Sequence, residues 1–105
     1  MITEAVQNFL DRLSKTPRTW KINTAGQIRN EAGQCPICAV AVPDLSKIDL
    51  LVDQSCYIMW WEHYKELGLS KRDARLIVLS ADHDVQAFFT DYREPLLRAC
   101  GLREL

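Results

Sequence analysis

Apolar positions along this chain recur mostly at helical spacing. Val6, Phe9, Leu10 and Leu13 follow Thr3, a good N-cap, and Arg12 and Lys15 fall where cations suit a helix C-terminus. A first helix over about Glu4–Lys15 is predicted, ended by Pro17. Thr19-Trp20-Lys21-Ile22 then alternates apolar and polar, Asn23-Thr24-Ala25-Gly26 supplies turn residues, and Gln27-Ile28-Arg29-Asn30 resumes an extended run. This predicts a β-hairpin with Trp20, Ile22 and Ile28 against the helices and Lys21 and Arg29 in water. Glu31-Ala32-Gly33-Gln34 reads as a loop. Cys35-Pro36 starts a second helix that is apolar nearly all round through Val42 and therefore buried, with a strand as the alternative because of its β-branched residues; Pro43 closes it.

The pattern is strongest over residues 53–82, which read as two helices joined by Leu67-Gly68-Leu69-Ser70. Tyr57, Trp60, Trp61, Tyr64 and Leu67 form one helical stripe; Gly68 stands where a helix stop needs positive φ, and Ser70 with Asp73 offers a capping-box-like start. The following helix reaches about Ala81, with Ala74, Ile77, Val78 and Ala81 inward. Residues 44–52 read as a short helical turn leading into this unit. Asp82-His83-Asp84 reads as a loop plus N-cap for a last helix in which Val85, Phe88, Phe89, Tyr92, Leu96 and Ala99 hold register across Pro95, kinked there or split, with Gly101 as its stop. No internal repeat is read in the pattern. The predicted fold is α+β and mostly α-helical: an N-terminal helix, a small β-hairpin, then about four packed helices including a helix-turn-helix-like hairpin.

A chain of 105 residues, 48% hydrophobic and 26% charged with 4 Gly and 4 Pro, is expected to form a single domain, 1–105. A net charge of −1 argues against a general electrostatic grip on nucleic acid or an anionic membrane. No run approaches the roughly 18 apolar residues of a membrane span, and the N-terminus lacks a basic start followed by an apolar stretch, so a cytoplasmic location is expected. The four cysteines, Cys35, Cys38, Cys56 and Cys100, then read as reduced thiols or ligands.

Cys35-Pro36-Ile37-Cys38 is the motif with intrinsic chemistry. At a helix start it favours a thiolate for redox work, and it is also one knuckle of a zinc site. A tetrahedral site needs two further ligands, and the loose candidates are Cys56, His63, His83 and Cys100; no cofactor is expected. Buried packing is the competing reading of both thiols. Lys71, Arg72 and Arg75 would lie at the exposed start of a recognition helix if the Leu67–Ser70 turn belonged to a DNA-binding unit, although the helix is apolar over Leu76-Ile77-Val78-Leu79. Trp60 and Trp61 point about 100° apart on a helix, so one ring at the core margin offers an aromatic contact.

Arg18-Thr19-Trp20, Gly26-Gln27-Ile28-Arg29, Cys35-Pro36-Ile37, Leu67-Gly68-Leu69 and Leu97 through Leu102 together resemble a pattern of small uncharacterised bacterial and phage-borne proteins. The resemblance implies no activity and no functional residue; proteins of that class often bind and block or recruit another protein. With no catalytic set or phosphate-binding loop in the sequence, the expectation is a non-catalytic accessory, inhibitor or adaptor protein whose partner is another protein or a second copy of itself. A helix-turn-helix DNA-binding regulator and a Cys-x-x-Cys metal or thiol-redox protein are the alternatives.

Overall fold

Thr3 opens the first helix as its spacing requires: its hydroxyl accepts the amide N–H of Val6 at 3.2 Å, and α1 runs Glu4–Lys15. The structure is a computed structural model that describes residues 2–41, 64–82 and 90–102, with side chains in the last stretch from Tyr92 onward. Val6, Phe9, Leu10 and Leu13 of α1 are all buried. Strands β1 (Trp20–Ile22) and β2 (Ile28–Asn30) pair antiparallel in the register Trp20↔Asn30, Lys21↔Arg29, Ile22↔Ile28. Helix α2 (Pro36–Ala41) is buried from Pro36 through Val40, and helices α3 (Lys71–Asp82) and α4 (Thr90–Ala99) follow. The protein is thus α+β and mostly helical. The expectations for residues 44–52, Tyr57, Trp60, Trp61, His63, His83, Asp84, Val85, Phe88 and Phe89 lie outside the described residues.

α1 packs on α2 and α4, α2 on α3 and β2, and α3 on α4, so the apolar faces meet in one cluster. Its largest fully buried members include Phe9, Leu13, Ile28, Ile37, Ile77 and Leu96. Trp20 is 7% exposed and Ile28 is sealed, which seats the hairpin on the helices as its alternation predicts. α4 continues through Pro95 as one helix. Among the described residues no helix is long and apolar enough to cross a membrane.

The hairpin turn and the loop after it are built alike. In Asn23-Thr24-Ala25-Gly26-Gln27 the Asn23 side-chain oxygen accepts the amides of Ala25 and Gln27, its amide group donates to the Gln27 side chain, and Gly26 N–H donates to the Asn23 carbonyl. Asn30-Glu31-Ala32-Gly33-Gln34 repeats every one of these bonds, with glycine φ of 81° in the first loop and 78° in the second. The first loop is largely exposed; in the second, Asn30 and Gln34 are 7% and 0% exposed, so the same local chemistry carries the chain into the core at Cys35.

Two sequence expectations are corrected at the end of α3. Arg29 does not face water: its guanidinium pairs with Asp82, whose side chain is 4% exposed, because a carboxylate buried that far needs a cation. Asp82 itself is the last residue of α3 and buried, where a loop was expected. An acid at this end of the helix opposes the helix dipole, and Arg29 supplies the cation that holds it. Arg93 is 7% exposed; it donates to the carbonyls of Ser80 and Ala81 at 2.9 and 3.2 Å and to the hairpin carbonyl of Gly26 at 2.8 Å. One guanidinium thereby joins α4, α3 and the hairpin turn.

Replacing Trp20 by Ala removes a large core ring and is expected to lower stability by roughly 3–5 kcal/mol in urea melts. A loss below about 1 kcal/mol would place the ring outside the core energetically.

Candidate functional site

The turn that launches α3 is fixed by local bonds. Gly68 has φ +74°, its N–H donates to the Lys65 carbonyl at 3.1 Å, and Leu69 N–H donates to the Tyr64 carbonyl at 3.0 Å, the paired bonds of a Schellman-type turn. Gly101 closes α4 with the same pair, to Arg98 and Leu97. Ser70 then caps α3: its hydroxyl accepts the Asp73 amide at 3.0 Å. The reciprocal half of a capping box is not made by the Asp73 carboxylate, which accepts the Tyr92 hydroxyl at 2.9 Å instead and ties the start of α3 to α4.

This geometry presents Lys71, Arg72 and Arg75 to solvent while drawing the acid among them, Asp73, partly inward. Arg72 and Arg75 have no ion-pair partner among the described residues, and exposed Lys65 adds a further cation nearby in the chain, its ammonium 5.9 Å from the centre of the Tyr64 ring. Exposure of α3 ends within its first two turns. From Leu76 on every residue is buried or half-buried, and Ile77, Val78, Ser80, Ala81 and Asp82 are buried outright. A recognition helix needs a free face to lie along the major groove, and the described part of α3 offers only its beginning.

Cys35 and Cys38 lie at the start of α2 with exposures of 0% and 1% and their Sγ atoms 3.5 Å apart. The two thiols would supply half of a tetrahedral zinc site, and among the described residues no group of three or more His, Cys, Asp or Glu side chains converges on a common point. Cys56, His63 and His83, and the aromatic candidates Trp60 and Trp61, lie outside the described residues. Cys100 is half-buried beyond the end of α4, and burial pushes its thiol up to about 12, which keeps it protonated at neutral pH. Glu31, exposed, is held below the usual carboxyl range by its own amide and that of Thr19, with Arg18 adding to the effect; it staples the second loop to the start of the hairpin at 2.8 Å from the Thr19 nitrogen.

An open groove between α1 and α4, about 260 Å³, is lined by Gln7, Asp11 and Ser14 on one side and Pro95 and Arg98 on the other. Gln7 donates to Asp11 at 3.0 Å, and the groove contains no nucleophile paired with a base. Of the residues singled out in the sequence, the structure brings together the three cations of α3 and, separately, the two thiols of α2. The sequence reading misses the buried set Arg29, Asp82 and Arg93; the signal available was an acid closing an amphipathic helix against its dipole. Compared with protein-family models, curated proteins and solved structures, the chain matches none.

Because the thiols lack a converging second pair of ligands among the described residues, purified protein is expected to carry well under one zinc per chain, and a chelator is expected to leave its melting temperature unchanged. Elemental analysis giving about one zinc per chain would assign Cys35 and Cys38 to a metal centre.

Proposed function

We propose that this chain is a non-catalytic interaction domain, an accessory or inhibitor protein that docks a protein partner of acidic surface onto the basic start of α3. The observation that supports it is the grouping of exposed Lys71, Arg72 and Arg75 on a helix that is otherwise covered, in a chain whose net charge is −1. Positive charge is therefore concentrated locally while the whole molecule is slightly acidic, an arrangement that steers and orients one complementary surface without a general affinity for polyanions. The helix dipole adds partial positive charge at the same end. Duplex DNA is the second reading, since it would use the same three cations; the short exposed length of α3 favours the protein partner.

The test is charge reversal. A variant with Lys71→Glu, Arg72→Glu and Arg75→Glu together is expected to lose capture of its partner from source-cell extract, with wild-type capture weakened by salt and indifferent to nuclease. Its stability is expected to change by no more than about 0.5 kcal/mol per site, as these side chains are solvated. Wild-type affinity for duplex DNA is expected to stay in the non-specific range of about 10⁻⁴ to 10⁻⁶ M. A tighter, sequence-dependent affinity that the triple variant abolishes would replace the protein-partner reading with that of a DNA-binding regulator.

A further inference from the structure

Cys35 and Cys38 stand apart from the docking surface, and their setting is more constrained than packing alone requires. The backbone is fixed on both sides of the pair. Before it, the second Asn-to-Gln loop holds Gln34, which is fully buried and receives the Asn30 side-chain amide at 2.8 Å. After it, Ala39 N–H donates to the Cys35 carbonyl at 3.0 Å as the first turn of α2 closes, and the Gln34 side chain reaches the Cys38 carbonyl at 3.5 Å. Core residues surround both sulfurs, so their rotamers are held with the Sγ atoms 3.5 Å apart.

We propose that Cys35 and Cys38 form a dithiol–disulfide site, oxidised by a small disulfide of the glutathione class, whose closure stabilises the native fold. Electrons and atoms balance in two exchanges. One cysteine thiolate attacks a sulfur of the small disulfide, breaking its S–S bond and releasing one thiol as a mixed disulfide forms. The second cysteine, giving up its proton to solvent, attacks the mixed disulfide at the protein sulfur, forming the Cys35–Cys38 bond and releasing the second thiol. The protein loses two electrons and two protons, and the small disulfide gains them.

Burial sets the rate and preorganisation sets the equilibrium. With both sulfurs sealed, a small disulfide reaches them only when α2, a six-residue helix, opens from the core, so exchange is slow and is accelerated by denaturant concentrations too low to unfold the protein. In the unfolded chain the same two thiols sample many separations, whereas the native chain keeps them in near contact. By linkage, a bond favoured more in the native than in the unfolded state stabilises the native state by the same factor.

Wild-type protein is equilibrated in glutathione redox buffers, once in native buffer and once in concentrated urea, then acid-quenched, alkylated and mapped by peptide mass for a Cys35–Cys38 bond, which lowers the mass by about 2 Da. The equilibrium constant for this bond is expected to be at least about tenfold higher in native buffer than in urea, and the oxidised protein to melt at a higher temperature than the reduced protein. In native buffer a Cys38→Ser variant is expected to melt at the same temperature under oxidising and reducing glutathione. A native constant equal to or below the urea value, or glutathione adducts in place of the internal bond, overturns the proposal; since the readout is on wild-type protein, it stands even if the serine variant fails to fold.

Discussion

The C-terminal end of α3 is held by two guanidinium groups, and the positions of the hairpin and of α4 depend on that hold. A two-stranded hairpin with three residues per strand is marginal alone, so something beyond its ladder must fix it. Trp20 and Ile28 supply adhesion, which is non-directional. Direction comes from Arg93, whose planar fork reaches two terminal carbonyls of α3 and the Gly26 carbonyl at once, and from Arg29, which leaves β2 for Asp82. Burying such charges costs free energy, offset only where the donors are well satisfied; the arrangement therefore specifies one packing more than it adds stability.

Elements whose rules are local were legible in the sequence. Thr3, the apolar stripe and Pro17 define α1 to the residue, Gly101 stops α4, and Gly68 takes the positive φ that its turn needs. The core face of α3 follows from its spacing, and so does the exposure of Lys71, Arg72 and Arg75. The long-range polar contacts were not legible. Arg29 finds its acid 53 positions later and Arg93 finds its carbonyl 67 positions earlier, and strand alternation or helical period says nothing about a partner that distant. The doubled Asn-x-Ala-Gly-Gln loop was present in the sequence and escaped because a five-residue loop motif lies far below the period of repeat folds. Its second copy shows why it matters, since it delivers Cys35 into the core in a fixed orientation.

These constraints divide the molecule by function. The junction at the end of α3 is buried, the thiol pair at the start of α2 is buried, and the start of α3 is the exposed, charged part. Tyr92 links α3 and α4: its hydroxyl donates to the Asp73 carboxylate at the start of α3. α4 thus meets α3 at both ends, through Tyr92 on Asp73 and through Arg93 on the Ser80 and Ala81 carbonyls.

Arg93→Lys tests the hold of Arg93 most directly, since it keeps the charge and removes the fork that spans three carbonyls. Amide hydrogen exchange is expected to show that protection falls together in the Asn23–Gln27 turn and in the last turn of α3, with α1 retaining its protection and overall stability dropping by about 1–3 kcal/mol. Protection lost only within α4, or unchanged in the hairpin turn, would contradict the claim that one guanidinium positions all three elements.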